Sequence, residues 1–198
     1  IMKTPRNVLV AGASSGIGEA IARAFAEQGD HVTATGATEA EVKAAHERQP
    51  TTVRFVQLDV RDGQAVAQLV STLGELDVLV NCAGIIRRGQ EHDPDVFEQV
   101  LDINLVGTMR LCAAARSSLA QRGGCIINTA SMLSFFGGGL VPAYSASKGG
   151  IAQLTKSLAI AYAEQGIRVN AIAPGWIATP LTQALQDDPE RSAPIIAR

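Results

Sequence analysis

A serine, a tyrosine and a lysine in the second half of the chain could together move a proton on or off a carbonyl or alcohol oxygen. Tyr144 and Lys148 are four residues apart, so on a helix both side chains project from the same face. A free tyrosine titrates near ~10, and a neighbouring ammonium favours the phenolate, which would lower the pKa of Tyr144. Ser131 lies thirteen residues upstream of Tyr144 and could give the same oxygen a second hydrogen bond. The pattern predicts a general acid/base, with an exposed helix surface as the alternative.

A glycine-rich turn near the N-terminus has the context of a phosphate-binding loop. A short apolar strand at residues 8–10 precedes Gly12-Ala13-Ser14-Ser15-Gly16-Ile17-Gly18, and a helical apolar pattern follows and stops at Gly29. Glycines let the backbone approach a pyrophosphate, and a helix N-terminus supplies free N–H groups and a positive dipole. The spacing is G-x-x-x-G-x-G, which differs from the general G-x-G-x-x-G fingerprint. A plain tight turn is the alternative, but the strand–turn–helix context predicts a dinucleotide site.

Short apolar strands and amphipathic helices alternate along the rest of the chain. Further strands are predicted at residues 31–35, 53–58, 78–80, 125–129 and 169–172, and helices near residues 16–28, 38–48, 62–73, 95–121 and 143–165. Gly29 and Gly166 lie where C-terminal helix caps belong. The alternation implies right-handed crossovers and a parallel sheet covered on both faces. We therefore predict an α/β fold with a single Rossmann-type doubly wound sheet in the order 3-2-1-4-5-6, with the ligand at the carboxyl ends of the strands.

Taken together, these residues resemble the short-chain dehydrogenase/reductase family. The matching motifs run in the family's order: Gly12-x-x-x-Gly16-x-Gly18, Asp59-Val60, Asn81-Cys82-Ala83-Gly84, Asn104, Ser131, Tyr144-x-x-x-Lys148 and Pro174-Gly175-x-x-x-Thr179. Two positions depart from the family pattern: Ala11 stands where Thr is frequent, and Cys82 where a second Asn is frequent. Neither departure removes a catalytic group. The resemblance implies hydride transfer between NAD or NADP and a secondary alcohol or ketone.

The resemblance also implies the catalytic roles. Tyr144 would handle the proton and Ser131 would steady the substrate oxygen. Lys148 would lower the pKa of Tyr144 and hydrogen-bond the nicotinamide ribose. Asn104 would hold a water that links the lysine to solvent. An exposed helix position is the alternative for Asn104, since Asn is unfavourable in the middle of a helix.

Several segments would contact the cofactor according to the same resemblance. The implied contacts are Gly12, Ser14, Ser15, Gly16, Ile17, Gly18, Asp59, Val60, Asn81, Ala83, Gly84, Tyr144, Lys148, Pro174, Gly175, Ile177 and Thr179. Asp59 would accept a hydrogen bond from the adenine amino group, Val60 would pack beside the ring, and the Pro174 segment would meet the carboxamide. Structural alternatives stay open: Asp59 could cap the next helix, Asn81 could belong to an ordinary strand-end turn, and Pro174 to a simple Pro-Gly turn.

The end of the second strand bears on the choice between NAD and NADP. An acidic residue there would bind the ribose 2′-OH and repel a 2′-phosphate, whereas a 2′-phosphate favours an arginine or several donors. The segment reads Thr35-Gly36-Ala37-Thr38, with no acid before Glu39 and no basic residue in the glycine turn. The threonines offer hydroxyls, which bind phosphate more weakly than a charge does. We therefore favour NAD over NADP.

Two segments border the expected substrate pocket. The segment Ile85-Ile86-Arg87-Arg88 contains a pair of arginines. A basic pair at this place resembles the branch of the family that acts on sugar acids such as gluconates and deoxy-keto-gluconates. Arginine is a natural clamp for a carboxylate, and a solvated or interface charge pair is the alternative. The run Phe135-Phe136-Gly137-Gly138-Gly139 favours a mobile loop whose phenylalanines wall the pocket or pack under it.

Other functions compete with a sugar-acid or polyol dehydrogenase. A keto-acyl or steroid-type carbonyl reductase would use the same residues. A non-catalytic NAD(P)-binding regulator would tolerate the loss of Tyr144 or Lys148, and both are present. An epimerase or dehydratase of the extended branch shares this pair but usually has a longer substrate domain.

Composition sets further bounds. A chain of 198 residues with 46% hydrophobic residues and a net charge of −2 is expected to form one domain, residues 1–198, that combines cofactor binding and catalysis. No basic excess indicates nucleic acid and no apolar run approaches a membrane span, so the expected partner is a small-molecule substrate. Cys82, Cys112 and Cys125 show no pairing or metal-ligand pattern, so we expect reduced thiols in a cytoplasmic protein and no metal site.

The helices and the end of the chain lead to two last expectations. Apolar residues in the 95–121 and 143–165 helices exceed what one sheet face needs, which predicts a homodimer or homotetramer. Family members usually extend further, so residues 181–198 would begin a substrate lid whose remainder, with the last edge strand, is missing. A short natural form is the alternative, but we expect a longer natural chain, because the sheet edge would otherwise be open. We interpret Ile1 before Met2 as an addition.

Overall fold

The computed structural model describes residues 4–49 and 53–197, and these residues form one parallel sheet of six strands. The strands are β1 (Asn7–Ala11), β2 (His31–Gly36), β3 (Val53–Gln57), β4 (Val78–Asn81), β5 (Cys125–Thr129) and β6 (Arg168–Ile172). Their order is β3-β2-β1-β4-β5-β6, which confirms the predicted Rossmann-type α/β fold. The order reverses between β1 and β4, where a ligand crevice is expected at the carboxyl ends of the strands.

Helices connect the strands and follow the predicted periodicity closely. They are α1 (Gly16–Glu27), α2 (Glu39–Arg48), α3 (Gly63–Leu73), α4 (Pro94–Leu101), α5 (Gly107–Arg122), α6 (Pro142–Tyr162), α7 (Gln183–Gln186) and α8 (Pro189–Ile196). Gly29 follows α1 and Gly166 ends the short 3₁₀ turn after α6, both at positive φ. These are the two C-terminal caps expected from the sequence.

The sheet is buried on both faces because its central strands carry apolar side chains in alternating directions. On β1, Leu9 faces one hydrophobic cluster with Leu79 and Ile126, while Val8 and Val10 face the other. Burial of each such side chain contributes about 1.5–3 kcal/mol relative to leaving it exposed. The two clusters pack against opposite faces of the sheet, and the loops beyond β1, β4 and β5 begin at its carboxyl edge.

The helical stretch predicted as 95–121 has an irregular centre. Between α4 and α5, residues Asp102–Val106 form a π-helical turn. Asn104 lies in this turn, where its Oδ1 accepts from Ile85 N–H (2.8 Å) and its Nδ2 donates to Ile85 C=O (2.9 Å). A side chain that bonds a neighbouring backbone in this way competes with regular helix, and π turns are frequent at functional sites.

The described part of the chain lacks two kinds of feature, a membrane-spanning helix and a metal-binding group. None of its helices combines the length and the apolar character that a membrane crossing requires. Its His, Cys, Asp and Glu side chains form no group of three or more that could hold a metal ion.

Candidate active site

The glycine turn connects the end of β1 to the start of α1 and leaves no room for side chains at two positions. Gly12 has φ +73°, and a Cβ there would lie 2.4 Å from the backbone of Ala83. A Cβ at Gly18 would lie 2.2 Å from the carbonyl oxygen of Gly12. Only glycine fits where backbone segments approach this closely. The helix that follows begins at Gly16, so its first N–H groups lie beside the turn.

A cleft of about 350 Å³ lies at the carboxyl ends of the strands. Most of the predicted cofactor contacts line it, namely Gly12, Ser14, Ser15, Gly16, Ile17, Gly18, Asp59, Val60, Ala83, Gly84, Tyr144, Lys148 and Thr179. The structure therefore brings together residues from the turns after β1, β3 and β4 with residues of α6. The four remaining predicted contacts, Asn81, Pro174, Gly175 and Ile177, are not among the residues that line the cleft.

Asn81 points into the protein. It is buried, and its Nδ2 donates to Asn128 Oδ1 (2.9 Å) and approaches Cys112 Sγ (3.4 Å). Its side chain thus ties β4 to β5 and α5 beneath the cleft. Pro174 lies close to the catalytic side of the cleft instead, because its carbonyl accepts from Met132 N–H (3.1 Å).

The turn after β3 carries an ion pair that the sequence analysis did not anticipate. Both oxygens of Asp59 accept from Arg61: Oδ1 lies 3.0 Å from Nε and Oδ2 lies 2.6 Å from Nη2, and this pairing lowers the pKa of Asp59. Asp59 does not cap the following helix, since Asp62 accepts from the N–H groups of Gln64 and Ala65 there. Asp59 and Arg61 both line the cleft.

Ser131, Tyr144 and Lys148 meet at one place. Ser131 follows β5 and begins a 3₁₀ turn, and its hydroxyl acts on the phenol of Tyr144 so as to lower its pKa. Tyr144 and Lys148 lie in the first two turns of α6. The ammonium of Lys148 donates to Thr129 C=O (2.6 Å) and lies 5.5 Å from the centre of the tyrosine ring. The arrangement offers two hydroxyls to one substrate oxygen, with a cation beneath them.

The pKa of Tyr144 moves in the direction opposite to the expected one. Burial raises the pKa of this phenol, and the hydrogen bond from Ser131 only partly opposes the rise. Lys148 is itself buried, which lowers its pKa to about 8. Lys148 is not among the groups that lower the pKa of Tyr144. The expectation that Lys148 lowers the pKa of Tyr144 is therefore not met in this structure.

Asn104 connects the turn after β4 to the catalytic helix. It is 1% exposed, which excludes the alternative of a merely exposed helix residue. Besides its two bonds to the Ile85 backbone, its Nδ2 donates to Ser147 Oγ (3.1 Å), and Ser147 Oγ donates to Tyr144 C=O (2.7 Å). Asn104 thus supports Tyr144 through the buried hydroxyl of Ser147.

One acidic residue of the cleft escaped the sequence analysis because it comes from a helix and not from the strand end. Glu41 of α2 accepts from Ala37 N–H (2.8 Å) and approaches Ser14 Oγ (3.4 Å), and it lines the cleft. A signal for it existed. Thr38 caps α2 by accepting from Glu41 N–H, and Thr-x-x-Glu is the spacing that turns a glutamate back toward the preceding residues.

A second acidic residue, Glu91, lies in the loop between β4 and α4 and is almost completely buried. No motif marked it. The segment Ile85–Arg88, called the basic turn below, precedes it, and both arginines of that turn are exposed. Phe135 and Phe136 are 73% and 64% exposed, which excludes the interpretation that they pack beneath the pocket.

Comparison with known proteins agrees with this geometry. The family model described as short chain dehydrogenase matches residues 6–190. The chain is 40% identical over 201 residues to the 2-dehydro-3-deoxy-D-gluconate 5-dehydrogenase of Bacillus subtilis, which covers 98% of this chain and 79% of the relative. It is also 40% identical over 194 residues to the cis-4-hydroxycyclohexanecarboxylate dehydrogenase of Sinomonas cyclohexanicum, covering 92% and 78% of the two chains.

A solved structure is similar as well. The gluconate 5-dehydrogenase of Burkholderia cenocepacia, determined in complex with NADP and tartrate, superposes with a TM-score of 0.87 at 30% identity. The match covers 96% of this chain and 79% of the other.

Proposed function

We propose that this chain, which belongs to the short-chain dehydrogenase family, oxidises the secondary alcohol of a sugar acid or a related hydroxy acid and prefers NAD. Its reaction class follows from the family: it is an oxidoreductase that moves a hydride between a nicotinamide cofactor and a CH–OH carbon. The observation that carries the proposal is that Tyr144 and Lys148 line the same cleft as the glycine turn, with Ser131 acting on the phenol of Tyr144.

The cleft fits a dinucleotide. Side chains at Gly12 and Gly18 would collide with backbone atoms, so the turn keeps a bare surface at the N-terminus of α1, where a pyrophosphate binds well. When bound, the nicotinamide cofactor supplies the hydride acceptor. The residues proposed to hold it are those that line the cleft, including Asp59 and Val60 at the turn after β3 and Thr179 beside Gly16.

The protein's own side chains transfer the proton in this reaction. In oxidation, we assign Tyr144 as the base that takes the proton from the substrate hydroxyl, and Ser131 as the second hydrogen bond to that oxygen. Lys148 would hold a positive charge near the phenolate as it forms, because it lies one turn further along α6. Asn104 fixes the backbone that carries Tyr144 through Ser147, and a water held near Asn104 stays a proposal.

Glu41 supports NAD as the preferred cofactor. Its carboxylate lies at the end of β2 beside Ala37 and Ser14, where an acid binds a ribose 2′-OH and repels a 2′-phosphate. Arg48 is the nearby cation, but it is paired with Glu19 through Nε (3.0 Å) and Nη2 (3.1 Å). The relative from Burkholderia cenocepacia was solved with NADP, so the test below includes both cofactors.

The substrate class rests on charge and on the relatives' names. Arg87 and Arg88 of the basic turn are exposed, and the turn is held to Asn104 through Ile85. Arginines near the reacting carbon would clamp a carboxylate. Gluconate and cyclohexanecarboxylate, in the names of two relatives, both carry this group.

A carbonyl reductase for an apolar ketone is the second candidate, and one observation favours it. Phe135 and Phe136 expose their rings beside the 3₁₀ turn that Ser131 begins, where an apolar keto-acyl or steroid substrate would find contact. A regulator that binds NAD(P) without turnover is disfavoured, because the catalytic residues are assembled.

We also propose a homo-oligomer in a reducing, cytoplasmic setting. Val106, Met109 and Ile160 expose apolar side chains at and beyond the π-helical turn and on α6, with Ile160 79% exposed, which supports burial against another copy. Cys82, Cys112 and Cys125 are all free thiols, as expected where glutathione keeps cysteines reduced.

The test is absorbance at the reduced-nicotinamide band with NAD⁺ and NADP⁺ in parallel, against sugar acids, hydroxy acids, polyols and secondary alcohols, with apolar ketones in the reverse direction. Tyr144→Phe should lower kcat by about a thousandfold, with a much smaller loss of cofactor affinity. Tyr162→Phe is the matched control, since Tyr162 is the one other tyrosine of the chain.

Each outcome is informative. Turnover of acids that disappears in Tyr144→Phe supports the proposal. Turnover of apolar ketones alone would favour the second candidate, and cofactor binding without any turnover would favour the regulator.

A further inference from the structure

Glu91 is a charged side chain in a place where charge is costly. Its exposure is 1%, and a buried carboxylate is retained only where hydrogen bonds or opposite charges satisfy it. Its two oxygens serve two different segments. Oε1 accepts from Arg87 N–H (2.8 Å) and Oε2 accepts from Tyr144 N–H (2.8 Å).

The second of these bonds replaces a missing helix cap. The N-cap position of α6 is Val141, whose side chain makes no capping bond, and Pro142 follows it. The first turn of a helix needs acceptors for its free N–H groups and favours a negative charge. Glu91 provides both from fifty-three residues away in the sequence.

The same loop is joined to the segment before α6 at two further points. Gly89 N–H donates to Leu140 C=O (2.8 Å), and His92 Nε2 lies 2.9 Å from Gly139 C=O. The loop that begins with the basic turn is therefore connected both to the segment at residues 135–140 and to α6. Glu91 is the buried residue among these contacts.

We propose that Glu91 is a positioning residue, which holds the backbone of Tyr144 and the backbone of Arg87 in one fixed arrangement and so sets the distance between the acid/base and the basic turn. The inference deepens the proposed function and rests on the roles given there to Tyr144 and to the basic turn. An error of about 1 Å in such a distance costs on the order of a hundredfold in rate.

The charge of Glu91 gives this role a second signature. The groups around Tyr144 are Ser131, which lowers the pKa of the phenol, Lys148, whose ammonium lies 5.5 Å from the ring centre, and Glu91, whose negative charge raises that pKa. Cys82 after β4 acts in turn on Lys148. Removing the charge at Glu91 should therefore lower the pKa of Tyr144, a change that the mere loss of a helix cap would not produce.

Glu91→Gln tests the proposal, because glutamine keeps the shape but puts an N–H₂ group against one of the two N–H donors. We expect kcat for the best substrate to fall by at least about tenfold, with a smaller change in KM for the cofactor. Asp62→Asn is the matched control, since Asp62 caps α3 by accepting from two backbone N–H groups. It should lose a similar amount of stability, and kcat should stay as in the parent protein.

Tyrosine titration supplies a readout without turnover. The chain has two tyrosines, so in a Tyr162→Phe background the near-ultraviolet phenolate absorbance reports Tyr144 alone. Adding Glu91→Gln should move this titration to lower pH. If the parent protein turned over no substrate, the proposed function would fail, while this titration would still test Glu91.

A last variant separates positioning from capping and covers the case in which Glu91→Gln does not fold. Val141→Thr is nearly isosteric and offers α6 a cap of its own. In the double variant, folding should be restored while kcat stays low. Recovery of kcat in the double variant, or an unchanged kcat and an unmoved Tyr144 titration in Glu91→Gln, would overturn the proposal.

Discussion

The glycine turn and the catalytic part of the cleft are built by different means. The glycine turn works through the absence of side chains, since Gly12 and Gly18 let backbone segments approach within contact distance. The catalytic part works through buried polar side chains: Ser147 and Glu91 bond the backbone of Tyr144, and Asn104 bonds the hydroxyl of Ser147. The glycine turn is therefore sensitive to added volume, and the catalytic part is sensitive to lost hydrogen bonds and changed charge.

The largest effect is expected from adding volume at the glycine turn. Gly12→Ala places a Cβ 2.4 Å from the Ala83 backbone at φ +73°, which should destabilise the fold by about 3 kcal/mol or more through strain and clash. NADH binding should weaken by at least about a hundredfold, roughly 2.8 kcal/mol of binding free energy. Denaturant unfolding and fluorescence titration with NADH measure the two losses.

Gly29→Ala is the control for backbone strain alone. Gly29 also has positive φ, +82°, but nothing lies within 4 Å of its missing Cβ. It should lose only about 1–2 kcal/mol of stability, with NADH affinity retained. Equal losses of affinity in the two variants would contradict the view that close packing against Ala83 is what the turn requires.

The same difference explains which features of the fold could be predicted from the sequence. Strand periodicity and glycine spacing act locally, so the strand positions, the order 3-2-1-4-5-6 and the turn from Gly12 to Gly18 were predictable. The π-helical turn was not, because it depends on Asn104 meeting the backbone of Ile85. No periodicity within the 95–121 segment contains that contact.

The catalytic side chains could be identified from the sequence, but the direction of their pKa changes could not. Tyr144 and Lys148 were found by their spacing, yet the direction of the pKa change at Tyr144 was wrong, because burial is a property of the packed tertiary structure. Glu91 has no local motif, and its partners are distant along the chain. Glu41 was readable in principle through its capping spacing with Thr38.

A smaller effect is expected from removing the carboxylate of Glu41, which lies beside the glycine turn. Glu41→Gln keeps the side chain's size but removes the negative charge beside Ser14 and Ala37. Repulsion of a 2′-phosphate should fall, so NADPH affinity should rise by about tenfold, or roughly 1.4 kcal/mol, with a smaller loss for NADH. Binding titrations with both reduced cofactors measure this directly, without any turnover.

Glu39→Gln provides the comparison at equal charge. Glu39 is exposed on the first turn of the same helix and does not line the cleft. Its substitution should leave the ratio of NADPH to NADH affinity near that of the parent protein. If both variants shifted the ratio equally, general electrostatics and not a contact at Glu41 would set the cofactor preference.

The effect that separates the two parts most clearly concerns the stability cost of the catalytic lysine. Burial lowers the pKa of Lys148 from its ordinary value of 10.5 to about 8. Below pH 8 both the folded and the unfolded chain carry the charge, and the folded state bears the full desolvation penalty. Between pH 8 and 10.5 the unfolded chain binds more protons, so this penalty shrinks as the pH rises.

Lys148→Met should therefore be more stable than the parent protein at pH 7, by about 2 kcal/mol, although it should be inactive. The advantage should diminish between pH 8 and 10.5. Lys156→Met on the same helix is the control, since Lys156 is exposed and its loss should change stability little at any pH. A Lys148→Met protein less stable than the parent at pH 7 would mean that the bond to Thr129 C=O outweighs the burial of the charge. In that case the catalytic part, like the glycine turn, would be a stabilising element of the fold.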